Sequence, residues 1–167
     1  MLRILFGKWY RMAYMDSMTC TFNRNAFEER KHNLRKNRKK LQGLSVAVVD
    51  LNRLKSINDS FGHHIGDEAL KCTAAYLKEA MGANSDIYRI GGDEFVCMAY
   101  RDIGKNIDVF RELVEKENEK RPYDFSVAVG MAFFDEAEGG IDELMRLCDK
   151  RMYEEKRKMY CSESMKV

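Results

Sequence analysis

The fold is decided by one stretch of the sequence, IYRIGGDEFVCM at residues 87–98. Two β-rich runs lie on either side of Gly91 and Gly92, and this pattern predicts a β-hairpin. Glycine suits such a turn because it can adopt a positive φ and lets a ligand approach the backbone closely. Asp93 and Glu94 follow the glycines, so we expect the turn to present two carboxylates.

The segments around the hairpin alternate between helical and strand patterns. Apolar spacing near 3.6 residues predicts helices, and short apolar runs rich in β-branched residues predict buried strands. The predicted helices cover residues 23–40, 51–60, 65–81, 102–120 and 141–160, and the other predicted strands cover residues 44–49 and 125–134. This order predicts an α+β fold, a mixed α/β sandwich in which helices pack on the faces of a central sheet.

The composition is that of a soluble globular domain, with 45% apolar and 34% charged residues in a chain of 167. The net charge is only +2, and the basic run at residues 31–40 accompanies no nucleic-acid-binding motif, so we expect no nucleic acid partner. Charges interrupt the apolar N-terminus, so we expect no signal peptide and no membrane contact. The five cysteines lack C-x-x-C spacing, which favours reduced thiols and a cytoplasmic location.

A cluster of acids is expected at one edge of the sheet. Asp50 follows the predicted strand 44–49, and it meets Asp93 and Glu94 if that strand lies beside the hairpin. Clustered carboxylates raise one another's pKa unless a cation lies among them. Mg²⁺ prefers such oxygen ligands and also binds phosphates, so the group predicts metal-assisted phosphoryl transfer. The alternative is that each acid only decorates a turn, which suits one acid better than a set of three.

The polar segment after Asp50 predicts a nucleotide pocket. Lys55 can neutralise a phosphate, and an amide beside a carboxylate, as in Asn58 and Asp59, can pair with the edge of a purine. The alternatives are a helix C-cap and turn for Asn58 and Asp59, and a first-turn or N-cap acid for Asp67. The sequence contains no G-x-x-x-x-G-K-[ST] motif, which excludes a P-loop.

Several motifs in the right order resemble those of GGDEF diguanylate cyclase domains. Residues 89–96, RIGGDEFV, resemble the family signature, and residues 50–67 resemble D-x-D-x-F-K-x-x-N-D-x-x-G-H-x-x-G-D. Residues 16–27 are similar to the opening motif D-x-L-T-G-L-x-N-R-x-x-F, and residues 126–132 to a late strand of the family. The resemblance implies a lead-in helix at 1–15, a GGDEF domain at 16–162 and a tail at 163–167. It also implies a central, mostly antiparallel sheet with flanking helices, like the palm fold of nucleotidyl cyclases and polymerases.

The resemblance further implies roles for individual residues. The implied metal ligands are Asp50, Asp93 and the Leu51 carbonyl, and the implied cofactor is Mg²⁺ with Mn²⁺ as the alternative. Glu94 would lie close to the metal and the attacking hydroxyl, and it completes a catalytic set with Asp50, Asp93 and Lys55. The implied substrate contacts are Asn58, Asp67, Asp59 and Lys156. Lys156 would contact phosphate, as would Lys55 of the catalytic set.

The implied reaction condenses two GTP molecules into cyclic di-GMP. Two domains would face each other, each holding one GTP, and each 3′-hydroxyl would attack the other's α-phosphate with release of pyrophosphate. The implied partners are therefore GTP, a second copy in a homodimer needed for turnover, and an upstream sensory region.

The chain departs from the family motifs at several positions. Residues 82–85 read GANS where the family carries its inhibitory R-x-x-D site, which argues against product inhibition there. The other departures are Cys20, Thr21, Asn52, Leu54 and Tyr160. Two alternative functions stay open: a catalytically inactive GGDEF domain that binds GTP and regulates a partner, and a scaffold domain without a ligand.

Overall fold

The computed structural model describes residues 9–136 and 139–164 and confirms the predicted α+β class. Its principal elements follow the predicted order along the chain. They are α1 (Arg24–Arg35), β1 (Ser45–Leu51), α2 (Leu54–Phe61), α3 (His63–Met81), β2 (Asp86–Arg89), β3 (Glu94–Ala99), α4 (Gly104–Asn118), β4 (Val127–Phe133) and α5 (Ile141–Ser164). Short 3₁₀ helices occupy Arg38–Leu41 and Phe134–Glu136.

The four strands form one antiparallel sheet in the order β2-β3-β1-β4. Strand β1 therefore lies beside the β2-β3 hairpin, as the predicted acid cluster requires. All seven residues of β1 are buried, because this central strand is covered on both faces. Successive side chains of a strand point to opposite faces. Val49 accordingly joins one core cluster and Val48 the other.

The two core clusters correspond to two layers of helices. Leu77 of α3 and Phe110 of α4 pack with Val49 on one face. Phe27 of α1 and Leu144 of α5 pack on the opposite face. The face that carries α1 and α5 matters most for the site, because the even-numbered residues of β1 and β3 point toward it.

Gly130 allows α5 to pack directly against β4. A Cβ at this position would lie 1.9 Å from the Cys148 carbonyl oxygen and 2.3 Å from the Met152 nitrogen. Both are backbone atoms, so any side chain here would push the helix away from the sheet.

Both outer edges of the sheet are partly occupied. On β4, the Val129 amide donates to Glu155 Oε1 at 3.1 Å and the Met131 carbonyl accepts from Arg151 at 2.7 Å. On β2, Phe22 forms a bridge through its backbone, donating to the Ile87 carbonyl. Side chains of α5 and the backbone of Phe22 thus form hydrogen bonds with main-chain groups at the outer edges of the sheet.

Two element boundaries differ clearly from the sequence-based expectation: the helix predicted over 23–40 ends at Arg35, and β1 extends through Leu51, so the helix predicted from residue 51 begins at Leu54. Three further differences concern the predicted site. The helix predicted from residue 65 begins at His63, so Asp67 lies in its second turn and the first-turn alternative for Asp67 is wrong. The hairpin loop is longer than a two-residue turn, and neither Gly91 nor Gly92 has a positive φ. Glu94 lies in β3 instead of the turn, because the Ile90 amide donates to the Glu94 carbonyl and extends the ladder.

The chain ends bear on the predicted domain limits. Residues 9–14 are helical, Met15 forms an isolated bridge to Phe22 instead of continuing the predicted lead-in helix, and residues 1–8 lie outside the described residues. Helix α5 continues to Ser164, two residues into the predicted tail, whose other residues also lie outside the description. Within the described ranges, none of the helices combines the length and the apolar character needed to cross a bilayer.

Candidate active site

The end of β1 and the start of β3 bring the predicted acids together. Asp50 pairs directly with Glu94 across the two strands, and the Leu51 amide donates to the Asp93 carbonyl at 3.0 Å. Asp50 and Glu94 both lie on the sheet face that carries α5, because alternation along each strand sends even-numbered side chains there. We call Asp50, Asp93 and Glu94 the acidic edge.

Burial and mutual repulsion shape the acidic edge. Asp50 is only 6% exposed, and burial raises its pKa. The hydrogen bond and charge of Lys156 offset only part of that increase, and the charge of Asp93 adds a smaller increase of its own, so the net shift is upward. Burial also raises the pKa of Glu94, followed by repulsion from Asp50, Asp93 and then Asp149. The site therefore carries more negative charge than its own residues neutralise, which is the condition that a divalent cation relieves.

Lys156 is the cation of this site. Its Nζ donates to Asp50 Oδ1 at 2.6 Å, and the two side chains are 26% and 8% exposed. Burial alone lowers the pKa of Lys156, but the hydrogen bond and charge of Asp50 outweigh it, so the pKa is raised and the ammonium stays protonated. The family resemblance implied a phosphate contact for Lys156, but it did not predict the hydrogen bond between Lys156 and Asp50.

The donor set suits Mg²⁺ completed by a substrate. Within the residues that the structure describes, no group of three or more His, Cys, Asp or Glu side chains is arranged to hold a metal ion alone. Mg²⁺ in proteins that bind nucleotides takes one or two carboxylates, and substrate phosphates supply further oxygens. Asp50, Asp93 and the adjacent Leu51 carbonyl fit that pattern.

A corner between two helices holds the residues predicted to read the base. Helix α2 ends at Phe61 and is capped by Gly62, where φ is 89°, and α3 begins at the residue after Gly62. The Asn58 side chain lies against Gly66, since a Cβ on Gly66 would be 1.9 Å from Asn58 Oδ1. Asp67 follows Gly66 and is half-buried. We call Asn58, Gly66 and Asp67 the helix corner.

Two other residues predicted to contact the substrate are more exposed than Asn58 and Asp67. Lys55 and Asp59 are both exposed on α2. Adjacent helical residues point about 100° apart, so Asp59 projects away from the direction of Asn58. Asp59 therefore lies outside the helix corner, while Lys55 lies in the first turn of α2.

Asn52 has a specific environment that explains its amide. It is 2% exposed, and its Nδ2 donates to Ser126 Oγ at 3.2 Å and to the Met159 sulfur at 3.5 Å. A carboxylate could not donate these bonds. Its Oδ1 is a buried oxygen without a hydrogen-bond partner in the described part of the chain. Nearby, the Arg53 guanidinium lies over the Tyr160 ring at 5.6 Å.

A clamp from the opening segment holds the loop of the hairpin. Asp16 Oδ1 accepts from the Thr19 amide at 2.8 Å and from Arg89 at 3.3 Å, while Arg89 also donates to the Gly92 carbonyl at 2.7 Å. Burial raises the pKa of Asp16, but the bonds from Thr19 and Arg89 lower it more, and the net shift is downward. This link from Asp16 to Gly92 fixes the backbone just before Asp93.

Sequence reasoning missed the contacts of this clamp and the charge that Asp149 adds near Glu94. The residues of the clamp belonged to recognised motifs, but nothing in the sequence showed that Asp16 and Arg89 meet. Asp149 precedes Lys156 by two helical turns on α5, and that spacing was the available signal. Its own pKa is raised by burial and partly lowered again by Lys31.

Comparisons with known proteins identify the family of this chain. A family model described as "Diguanylate cyclase, GGDEF domain" matches residues 13–160. The signaling protein YkoW of Bacillus subtilis is 33% identical over 163 residues, covering 86% of this chain and 19% of that protein. The probable diguanylate cyclase DgcI of Escherichia coli is 29% identical over 150 residues, covering 89% of this chain and 32% of that protein.

A third relative has a different name. The cyclic di-GMP phosphodiesterase PdeB of Shewanella oneidensis is 32% identical over 130 residues, covering 74% of this chain and 15% of that protein. The chain thus spans between 15% and 32% of the length of these three relatives.

A solved structure shares the fold. The coiled coil and GGDEF domain of DgcB from Caulobacter crescentus, in complex with c-di-GMP, aligns with a TM-score of 0.78 at 21% identity. The alignment covers 93% of this chain and 87% of that one.

Proposed function

Because this chain belongs to the GGDEF family, we propose that it is a diguanylate cyclase, which condenses two GTP molecules into cyclic di-GMP and releases two pyrophosphates. The observation that carries the proposal is the acidic edge, in which Asp50 pairs with Glu94 and the backbone of Asp93 is bonded to Leu51. A family fold alone would not be enough, since one fold hosts many functions.

In the proposed reaction, Asp50, Asp93 and the Leu51 carbonyl hold Mg²⁺, or Mn²⁺ in its place. Held there, the ion would supply charge neutralisation at the phosphates and would make the attacking hydroxyl more acidic. Glu94 accepts the proton of the attacking 3′-hydroxyl, a role that suits a carboxylate whose pKa is raised by burial and by its acidic neighbours.

Positioning residues hold the substrate for in-line attack. Asn58 and Asp67 bind the guanine edge, with Asp59 as a weaker contributor at the rim. Lys55 and Lys156 bind phosphates, and their charge offsets the negative charge that develops on the leaving pyrophosphate. Most of the rate enhancement would come from holding the hydroxyl and the phosphorus in line.

Each domain holds one GTP, so turnover requires a homodimer in which two acidic edges face each other. The relatives are three to seven times longer than the matched segments, and we propose that an upstream sensory region controls this encounter. We place the reaction in the cytoplasm, where GTP is found, and propose that the domain occupies residues 16–162 after a lead-in helix.

The test is product formation by the purified chain. We expect cyclic di-GMP by mass spectrometry when GTP and Mg²⁺ are supplied, with a rate that rises faster than linearly with protein concentration. Asp93→Ala should abolish product, while Glu112→Ala, an exposed acid on α4, should leave the rate unchanged. Full turnover by Asp93→Ala would refute the metal role of the acidic edge.

A second candidate function is a GTP-binding regulatory domain without turnover. The similarity to PdeB favours it, because that protein is named for hydrolysis of cyclic di-GMP and carries a segment like this chain. GTP binding that saturates with no product at any protein concentration would support this candidate.

A further inference from the structure

Lys156 takes a position that the proposed metal would need. Its ammonium donates to Asp50 Oδ1 at 2.6 Å, and Asp50 is the most buried carboxylate of the acidic edge. Helix α5 can bring Lys156 this close because Gly130 lets the helix backbone lie against β4. The pair is therefore built into the packing of α5 on the sheet.

A divalent cation alone meets an unfavourable exchange at Asp50. To bind the paired oxygen, it must displace the ammonium, and before that it is repelled by a like charge. The displaced ammonium would leave a strong hydrogen bond without gaining another partner of equal charge. A nucleotide triphosphate changes this balance, because its phosphate oxygens offer Lys156 a new anionic partner.

We propose that Lys156 acts as a gate for the metal: it holds Asp50 until a triphosphate draws it away, so that the site accepts a divalent cation with nucleotide far better than without it. This inference rests on the proposed function for the identity of the nucleotide. It assigns Lys156 two successive partners, Asp50 before nucleotide binds and phosphate afterwards.

The gate makes two predictions of opposite sign for one variant. In Lys156→Met, Mn²⁺ added without nucleotide should bind at least about tenfold more tightly than in the unmodified chain, because a competing cation is gone. The same variant should bind the non-reactive guanosine 5′-(α,β-methylene)triphosphate at least about tenfold more weakly in EDTA, because the phosphates lose their cation.

Electron paramagnetic resonance of free Mn²⁺ measures the first affinity, and calorimetry measures the second, both on the full chain. Lys158→Met is the matched control, since Lys158 is an exposed lysine two residues away on the same helix. It should change neither affinity. Lys156→Gln guards against a folding defect specific to methionine, and Asp50→Asn should remove the tight Mn²⁺ binding.

A merely structural role for Lys156 would weaken both affinities together. Unchanged or weaker Mn²⁺ binding in both Lys156 variants, with folding intact by circular dichroism, would overturn the gate. Neither measurement depends on turnover. If the Lys156 variants bind Mn²⁺ more tightly but the unmodified chain makes no cyclic di-GMP, the gate is supported and the cyclase is not. If the unmodified chain makes cyclic di-GMP but the variants do not bind Mn²⁺ more tightly, the cyclase is supported and the gate is overturned.

Discussion

The acidic edge and the helix corner are built in different ways. In the acidic edge, strand pairing places Asp50 opposite Glu94, and Lys156 bonds to Asp50 from a helix 106 residues further along the chain. The helix corner is local: Asn58 and Asp67 come from consecutive helices that meet at Gly62. The comparison teaches that the proposed chemistry depends on the whole fold, whereas the proposed base recognition depends on one turn.

The largest expected effect comes from Gly130→Ala, which would disturb the acidic edge by displacing the helix that carries Lys156. The new Cβ would collide with the backbone of α5 near Cys148 and Met152, so the helix must shift. We expect a loss of about 3 kcal/mol in the free energy of unfolding, measured by urea denaturation. Gly92→Ala is the control, because a Cβ there meets open space. Equal stability of the two variants would contradict close packing of α5.

A smaller and more local effect is expected from Gly66→Ala in the helix corner. The Cβ would occupy the place of Asn58 Oδ1, so the amide must turn away while the core stays intact. We expect about tenfold weaker GTP binding, a loss that is typical of one polar contact, with little change in unfolding.

The double variant decides whether Gly66 acts through Asn58. Asn58→Ala alone should weaken GTP binding about as much as Gly66→Ala, and the two changes together should be no worse than one. Additive losses by calorimetry would show that Gly66 contributes in another way.

The third effect is a pH dependence of stability that separates the two regions. Burial and its acidic neighbours raise the pKa of Glu94, so the folded state holds this proton more tightly than the unfolded chain. Ionised Glu94 therefore costs stability at neutral pH. Glu94→Gln should raise the melting temperature at pH 7, and the gain should vanish below about pH 4, where the carboxyl is protonated in both states.

The control for that experiment is Glu112→Gln, an exposed carboxyl on α4. We expect its melting temperature to follow that of the unmodified chain at every pH. A gain for Glu94→Gln that persisted undiminished at pH 3 would show that packing, and not charge, is the cause.

The smallest effect concerns the rim of the helix corner. Asp59 is exposed and points away from Asn58, whereas Asp67 is half-buried beside Gly66. We expect Asp67→Asn to weaken GTP binding about tenfold and Asp59→Asn to weaken it less than about twofold. Equal losses in a titration would place Asp59 within the corner after all.

Sequence reasoning predicted the parts of the fold that depend on periodic patterns. The buried run before Asp50 and the two runs around Gly91 and Gly92 predicted three strands, and their pairing then brought the acids together. The predicted start of β3 was one residue too late, because the hydrogen-bonded ladder extends into the predicted turn and includes Glu94. Short-range pattern does not reveal how far a ladder extends.

Contacts between distant side chains were not predictable in this way. The bond between Lys156 and Asp50 requires the approach of α5 that Gly130 permits, and the bond between Arg89 and Asp16 spans 73 residues. Each depends on the angle at which two elements pack. Residue type and spacing alone do not predict that packing angle.

The partly occupied edges of the sheet also limit the addition of a further strand. The outer groups of β4 at Val129 and Met131 already bond to side chains of α5, and Phe22 does the same for β2. Exposed edge strands invite other chains to add to a sheet, and such additions lead to aggregation. With these groups engaged, fewer main-chain donors and acceptors at either edge are available to pair with a strand of another chain.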